Sequence, residues 1–529
     1  MTGCFSGYYD LRQNIRMPSN SASPSRLRIA LRWFAISFLI VAATWLAVVF
    51  WWQTTQRAVS TTDALLHMVV LPITILLCVI LVRRTFLMMA SRRGAKSDQS
   101  AQGISSAIQS GAKDSQLQAA HVAIIGAWAS TSLSPNGDEL LEHLNERRTR
   151  PTPDEFLADE HGFPLLSGRA KDLDTGSVES KLATAVAGVP SASDVSLSEA
   201  RDALLRALAL LDSLLEQMAA DWPRNISGMD EPPDRHVHAM TLRGLPDNAA
   251  APASVVLQVK LLLSGELDAA EIGSARAYVA HRLAALGISA PQMSVDTVAA
   301  DEVPAALVLA DEFRRKANAT PGCDSPQALL LLSGVSNLCP TIVEAWESRG
   351  LTFSSQRPNG RMLGEAAFGV LCANEKTLEI MSATPMCHLS PVICAQRNAG
   401  GKDKAKDDIL SGAIHKALDV AKLPCDAIGA VVCDADHRSD RTLESIAAMI
   451  SQTPKLDAIH DRIAIDEACG HLGVASTLGI LAAGAIHAQQ SMHPVLLFNV
   501  GHSTERAAAL LIPVGITKDD TSTQYLQAA

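Results

Sequence analysis

Two long uncharged stretches near the N-terminus constrain this chain more than any other feature. Residues 33–52 read WFAISFLIVAATWLAVVFWW, and residues 64–82 read ALLHMVVLPITILLCVILV. A helix rises about 1.5 Å per residue, so about 20 residues cross the roughly 30 Å hydrocarbon layer of a bilayer. Tryptophans at both ends of the first stretch suit the membrane interface, and a membrane helix tolerates Pro72. The two stretches predict a transmembrane hairpin over residues 33–82.

The charges around the hairpin predict its orientation. Basic residues flank it on both outer sides, whereas the loop 53–63 between the two stretches holds one arginine, Arg57. These flanking residues are Arg12, Arg16, Arg26, Arg28 and Arg32 before it, and Arg83, Arg84, Arg92, Arg93 and Lys96 after it. By the positive-inside rule both termini face the cytoplasm of a bacterial inner membrane. A cleavable signal peptide is the alternative, but the first stretch is long, starts late and lacks a small-residue cleavage site.

The composition excludes several classes of function. The chain has 529 residues and a formal charge of −10, which argues against binding nucleic acid through a basic surface. Its ten cysteines form no C-x-x-C pair, which disfavours a disulfide scaffold and a zinc ribbon. The phosphate-binding, dinucleotide-binding and serine-hydrolase motifs are absent from the sequence. We therefore expect neither a cofactor nor a metal.

The remaining chain alternates short apolar runs with helical patterns. Strand-like runs are 121–128, 254–263, 328–335, 366–373, 427–434 and 493–501, and helix-like segments are 198–220, 271–286, 302–317, 408–421, 442–450 and 473–489. Apolar strands without alternation are typical of a sheet covered on both faces, so the pattern predicts an α/β fold. Residues 149–192 are rich in proline, aspartate and glycine, and we interpret them as an irregular excursion. No internal repeat is visible.

Four stretches in chain order resemble landmarks of the β-ketoacyl synthases and the wider thiolase-like superfamily. They are VAIIGAWA (122–129), LLLSGVSN with RPNGRMLGEAAFGVLCA (330–337 and 357–373), DEACGHLGVASTLGILAAGAIH (466–487) and LLFNVGHSTERAAALLI (496–512). The resemblance implies a layered αβαβα domain that dimerises through its central layers. Together with the apolar stretches, it divides the chain into a cytoplasmic tail (1–32), the hairpin (33–52 and 64–82), a linker (83–119), two thiolase-like halves (120–386 with insertions, and 387–515) and a second tail (516–529).

The resemblance is most informative where the chemistry of the family is missing. A condensing enzyme of this kind needs a cysteine nucleophile, basic groups beside it and an oxyanion hole. The resemblance places Ala299 at the cysteine, Cys433 or Asp434 at the first histidine, and Asp466 at the lysine, so that His471 alone matches. We expect these five residues to line a vestigial pocket without a catalytic residue. If Ala299 is misplaced, Cys323 is the next candidate nucleophile.

Further polar residues follow the strand-like run that ends near Cys433. They are Asp436, His437, Arg438, Asp440, Arg441 and Glu444. This cluster is either a ligand or metal site at a strand end, or a salt-bridged loop with Ser439 or Asp440 capping the next helix. We favour the structural interpretation of this cluster. We also favour a structural interpretation of two other candidate groups, the histidine pair His236 and His238 and the thiol of Cys469. His236 and His238 lack a nearby third metal ligand, and Cys469, beside His471, is expected to be a buried thiol.

The sequence thus predicts a degenerate, catalytically inactive thiolase-like protein, anchored to the membrane and acting as a binding or scaffold module at its cytoplasmic face. Residues 146–174 also resemble proteins of bacterial type VI secretion systems, including the lipase-adaptor family. A protein partner would then be a secretion component or an effector. The alternative is an active acyl-transferase or β-ketoacyl synthase-like enzyme that uses a non-standard cysteine with His471. A third hypothesis is a small-molecule sensor that uses the vestigial pocket.

Overall fold

The computed structural model describes eight ranges of the chain. They are residues 121–146, 150–186, 201–222, 255–288, 292–300, 304–319, 325–397 and 408–515. The predicted hairpin, the linker 83–119 and the tail 516–529 lie outside these described residues. Within the described ranges, no helix combines the length and the apolar character that crossing a bilayer requires.

The described residues form thirteen strands and eleven α-helices. The strands are β1 (Val122–Thr131), β2 (Thr152–Ala158), β3 (Pro164–Gly168), β4 (Val256–Ser264), β5 (Gln292–Ala300), β6 (Gln327–Ser336), β7 (Leu363–Ala373), β8 (Cys387–Leu389), β9 (Ile393–Gln396), β10 (Ala430–Cys433), β11 (Arg462–Ala464), β12 (Val495–Phe498) and β13 (Glu505–Pro513). The helices are α1 (Gly137–Glu146), α2 (Thr175–Val186), α3 (Arg201–Asp221), α4 (Ala269–Ala285), α5 (Ala305–Ala319), α6 (Pro340–Ser348), α7 (Glu375–Met381), α8 (Ile409–Ala421), α9 (Ser439–Gln452), α10 (Ile465–Cys469) and α11 (Val474–Ser491).

The sheet repeats one five-strand pattern twice. The first half-sheet has the order β5-β4-β6-β7-β1, in which β4 is parallel to β5 and β6 while β7 is antiparallel to β6 and β1. The second half-sheet has the order β11-β10-β12-β13-β8, with β10 parallel to β11 and β12 and β13 antiparallel to β12 and β8. Pairing of β8 with β1 joins them. The fold therefore contains an internal repeat that the residues themselves do not reveal.

Helices lie on both faces of each half-sheet. Helices α2, α3 and α4 share one apolar cluster with the outer face of the first half-sheet, and α8 and α9 share another with the outer face of the second. A third cluster, between the half-sheets, contains α5 and α11. The described elements thus stack as five layers in the order α, β, α, β, α, and the prediction of an α/β fold is confirmed.

Strand β7 and helix α11 lie in the core of the described structure, and this position explains why most of their residues are apolar or small. Every residue of β7 is buried, which is why this strand lacks alternation and is apolar throughout except at Glu365. Helix α11 packs against it closely, because a Cβ added at Gly479 would lie 2.8 Å from the Phe368 ring. Small residues along α11 therefore bring the central helix into contact with the sheet.

The prediction of an irregular excursion over 149–192 is wrong for its described part. The chain forms the β2–β3 hairpin there and then helix α2. Asp154 organises the hairpin: its Oδ1 accepts the backbone N–H groups of Phe156 and Leu157 at 2.9 and 3.0 Å, and its Oδ2 accepts from the Ser167 hydroxyl and from Arg169. A buried aspartate that accepts hydrogen bonds from four residues holds together a segment whose composition predicts a loop.

Candidate functional site

A pocket of about 410 Å³ opens between the end of β5 and the start of α11. His471, Gly473 and Val474 line it on the α11 side, Ala300 at the end of β5, and Asn337 after β6. We call it the His471 pocket. It lies where the ends of several strands of the described structure converge, which is a common place for a ligand site in α/β proteins.

A rigid turn between α10 and α11 places His471 in this pocket. Its backbone N–H donates to the carbonyl of Met362 at 2.9 Å, and its own carbonyl accepts from Nδ2 of Asn337 at 2.7 Å. Gly470 makes the turn possible, since its φ is +83° and an added Cβ would lie 2.3 Å from the carbonyl oxygen of Leu363. The imidazole packs edge-on against the ring of Trp346, with centroids 5.6 Å apart.

Asp466, at the position where the resemblance places a lysine, braces the first turn of α11. Its Oδ2 accepts from the Ser476 hydroxyl at 2.8 Å and from the backbone N–H of Leu472 at 3.4 Å, and lies 4.0 Å from Nδ1 of His471. Burial raises the pKa of Asp466 well above its usual value, and the charges of two other buried carboxylates add to this effect. A buried carboxyl here supplies no positive charge to the pocket.

Asp434 holds the turn that follows β12. Its Oδ1 accepts the backbone N–H groups of Val500 at 2.5 Å and Gly501 at 3.0 Å. A Cβ at Gly501 would lie 2.8 Å from Oδ2 of Asp434, so glycine permits this approach. Burial raises the pKa of Asp434 to about 6. The turn that it fixes carries two residues of the pocket lining, His502 and Ser503.

Thiols in the described residues lie away from the His471 pocket. Burial raises the pKa of Cys433 to about 11 and that of Cys469 to about 12, so both are protonated at neutral pH. Cys469 is two residues from His471, yet its thiol contacts the hydroxyl groups of Ser132 and Thr131. No cysteine of the described ranges lines the pocket. Cys323, the other candidate nucleophile, lies outside those ranges.

The two alanines at the end of β5 face opposite sides of the sheet. Val298 and Ala300 pack against the central apolar cluster, whereas Val295 packs against the outer one. Because side chains alternate along a strand, Ala299 points away from the central layer. Ala300 therefore lines the His471 pocket, one residue after the position that the resemblance indicates. Either residue offers only a methyl group.

Four arginines line the His471 pocket together with one acidic residue, Glu266. They are Arg349, Arg361, Arg438 and Arg441. Four positive charges and one negative charge give this lining a formal balance of +3. Arg438 and Arg441 belong to the polar cluster that follows Cys433 in the sequence, whereas Arg349 and Arg361 were not predicted as site residues. Arg361 lies in a stretch that carries the family resemblance, and Arg349 lies outside all of these stretches.

The arginines are held in different ways. Arg441 donates through Nη1 to the carbonyls of Val500 at 2.7 Å and His502 at 2.8 Å, and burial lowers its pKa. Nε of Arg438 lies 2.6 Å from Oδ2 of Asp436. The guanidinium of Arg361 stacks over the ring of Trp346, 5.5 Å from its centroid. Nη2 of Arg349 lies 3.0 Å from Oε1 of Glu266, at the exposed rim.

The other residues of the polar cluster do not line the His471 pocket. Glu444 on α9 accepts two hydrogen bonds from the fully buried Arg506, at 2.7 and 2.8 Å. His437 packs against the ring of Phe353 and Asp440 is exposed, and neither lines the pocket. Helix α9 begins at Ser439 with Arg438 as its N-cap and no side-chain cap, so the predicted cap at Ser439 or Asp440 is wrong.

The described ranges contain no group of three histidine, cysteine, aspartate or glutamate side chains placed to hold a metal ion. His236 and His238 lie outside those ranges. The candidate site is therefore defined by arginines, an imidazole and buried carboxyl groups. Its chemistry favours recognition of negative charge.

No protein-family model matches the chain, and no curated protein matches it. Among solved structures it is similar to the ishigamide ketosynthase/chain length factor, at 17% identity and a TM-score of 0.48, covering 75% of this chain and 100% of that one. It is also similar to a β-ketoacyl synthase from Burkholderia phymatum, at 11% identity and a TM-score of 0.46, covering 75% and 100%. A third is the ketosynthase from module 1 of the bacillaene synthase of Bacillus amyloliquefaciens, at 13% identity and a TM-score of 0.46, covering 76% and 74%.

These three structural neighbours are ketosynthases, and their sequence identity to this chain is low. The likeness is to an arrangement of strands and helices, at identities that transfer no activity. The predicted likeness of residues 146–174 to type VI secretion proteins stays a prediction from the sequence.

Proposed function

We propose that this chain is a catalytically silent thiolase-like protein that acts as a binding module, held by its hairpin at the cytoplasmic face of a bacterial inner membrane. The observation that carries the proposal is the content of the His471 pocket. The resemblance places Ala299 at the nucleophilic cysteine and Asp466 at a cation. Ala300, the residue after Ala299, lines the pocket and also offers only a methyl group. A pocket of about 410 Å³ persists although these groups are missing.

The architecture supports the thiolase-like part of the proposal. Two copies of one five-strand pattern enclose a central pair of helices, α5 and α11, and the His471 pocket lies at the start of the second of these. The family resemblance also implies a homodimer. Strand β5 ends the first half-sheet and pairs with β4 alone among the described strands, which leaves a backbone edge for a second copy.

The decisive experiment is a search for a covalent acyl intermediate. The purified full-length chain is incubated with short- and long-chain acyl thioesters, and its intact mass is measured, with a working ketosynthase treated in parallel. We expect no adduct on this chain and a stoichiometric adduct on the control. A stoichiometric adduct on any one cysteine of this chain would overturn the proposal.

The rival function, an active acyl-transferase, has one observation in its favour, which is that His471 remains in the pocket. It needs a thiol, and Cys323 lies outside the described residues. If an adduct forms, Cys323→Ala and Cys469→Ala identify its site. Loss of the adduct in one of these variants would assign the nucleophile of a working enzyme.

The membrane and partner parts of the proposal have their own tests. Alkaline phosphatase fused within the loop 53–63 is expected to be active, and a fusion after residue 529 inactive.

We further propose a type VI secretion component or effector as partner, on the sequence of residues 146–174. The β2–β3 hairpin in that stretch exposes Phe156 and Phe163, 76% and 67% accessible. Copurification of such a partner should be lost in the double variant Phe156→Ser, Phe163→Ser.

A further inference from the structure

We infer that the His471 pocket binds a small organic anion carrying two or more negative charges as phosphate or carboxylate groups, and that Arg361, Arg438 and Arg441 hold it. The inference rests on the proposed function, because it treats this pocket as a binding site and not as a reaction centre. It adds the class of ligand and the residues that select it.

Charge is the first argument. The lining residues carry a formal balance of +3, and two carboxylates that pair with these arginines, Asp436 with Arg438 and Asp440 with Arg441, reduce it to +1. Arginines of like charge that share one cleft repel each other, and the low-dielectric walls of a cleft concentrate their field. An anion placed among the guanidinium groups offsets this repulsion, and an anion with two or more charges offsets more of it than a monoanion does.

Available donors are the second argument. Arg441 is 8% exposed, and its buried Nε makes no hydrogen bond, since the nearest carboxylate, that of the exposed Asp440, lies 3.7 Å away. Guanidinium groups are donors that phosphate and carboxylate oxygens accept well.

The walls of the pocket indicate an organic body attached to the anionic group. Trp346, Val335, Leu351 and Val474 contribute apolar surface beside the arginines. A volume of about 410 Å³ exceeds that of a single phosphate ion and lies in the range of small-molecule sites. The ligand is therefore expected to be a small metabolite with a compact anionic end.

The test titrates the purified full-length chain in detergent with pyrophosphate, inorganic phosphate, citrate, acetate and chloride at constant ionic strength. Binding is followed by calorimetry and by the thermal midpoint. We expect saturable stabilisation by pyrophosphate or citrate and none by acetate or chloride. Preference for pyrophosphate identifies a phosphate ligand, and preference for citrate identifies a carboxylate ligand.

Substitutions locate the site. Arg361→Gln and Arg438→Gln should each weaken anion binding about tenfold or more, because a charged hydrogen-bonding group is lost. Arg361→Lys, which keeps the charge but not the fork, should lie between wild type and Arg361→Gln. Arg150→Gln is the matched control, since it removes the same charge from a side chain that is 72% exposed and does not line the pocket.

Three results would overturn the inference. They are the absence of anion-dependent stabilisation, equal effects of acetate and citrate, and equal weakening by Arg150→Gln and Arg361→Gln. The unfolding midpoint of each variant without anion shows that it is folded. The same preparations are assayed for acyl adducts, which separates the two proposals. An adduct refutes the silent pocket, whereas a protein that forms no adduct and binds no anion refutes this inference alone.

Discussion

Oδ2 of Asp466 lies 4.0 Å from Nδ1 of His471, and both side chains are buried. The carboxyl also accepts the hydroxyl hydrogen of Ser476 at the start of α11. A position that the family resemblance assigns to a cation is thus occupied by a group that fixes the helix behind the imidazole. The stability and reactivity that follow from these buried contacts can be measured.

Asp434→Asn should change how stability depends on pH. Burial raises the folded-state pKa of Asp434 to about 6 from an ordinary value of 3.8, so the folded protein binds this proton more tightly than the unfolded chain. Its contribution to stability is complete below pH 4 and is lost as pH rises through about 6. The stability of wild type relative to Asp434→Asn should therefore fall by on the order of 3 kcal/mol between pH 4 and 7.

Urea unfolding at a series of pH values measures this difference. Asn keeps the oxygen that accepts from Val500 and Gly501, so the turn after β12 is retained. Asp457→Asn is the control, because its exposed carboxyl has a pKa lowered to about 2 and is ionised across the whole interval. A difference for Asp434→Asn that stays constant from pH 4 to 7 would contradict the buried, proton-retaining carboxyl.

A thiol introduced at the end of β5 should report the orientation of the two alanines. Ala300→Cys places the sulfur in the arginine-lined His471 pocket, whereas Ala299→Cys places it on the opposite face of the strand. For each variant, the rate of modification by anionic iodoacetate is divided by the rate for neutral iodoacetamide. We expect this ratio to be at least several-fold higher for Ala300→Cys than for Ala299→Cys. Mass spectrometry of the labelled cysteine gives the rates. Equal reagent preference in both variants would show that the two positions see the same environment.

The sequence predicts the buried strands and the amphipathic helices, because each leaves its own pattern of apolar residues. A strand buried on both faces is a continuous apolar run, whereas a helix buried on one face has apolar residues every three or four positions. Helix α8 illustrates this: its predicted span, 408–421, differs from the observed Ile409–Ala421 by one residue at its start. The duplicated strand order is different, since pairing between distant strands leaves no local pattern. The arginine lining is invisible for the same reason: Arg349 and Arg441 lie 92 positions apart in the chain and meet only through the folding of both halves.

Gly364→Ala should destabilise the protein and disturb the His471 turn. A Cβ there would lie 2.7 Å from the backbone carbonyl of Cys469, a contact that neither backbone can relieve without moving. We expect a loss of about 1–3 kcal/mol in the free energy of unfolding, together with weaker anion binding. Gly412→Ala is a matched control on α8, where an added Cβ meets nothing within 4 Å. It should stabilise the protein by up to about 1 kcal/mol, since alanine favours helix more than glycine does. A tolerated Gly364→Ala would mean that the turn has room to shift.

Glu444→Gln should be among the most damaging single substitutions in the second half of the chain. It leaves the guanidinium of Arg506, which is 0% exposed, without its carboxylate partner, and the loss of one member of a buried ion pair costs about 3–5 kcal/mol. Burial acts to raise the pKa of Glu444, but the hydrogen bond and charge of Arg506 outweigh it and lower that pKa below 4.5. The pair therefore contributes stability above pH 4.5, and the contribution is lost as pH falls through the lowered pKa. Urea unfolding at pH 7 and pH 3 measures both effects, with Glu379→Gln, from an exposed pair with Lys376, as control. Equal stabilities of Glu444→Gln and Glu379→Gln at pH 7 would show that Arg506 finds sufficient partners in the backbone carbonyls of His502 and Glu505.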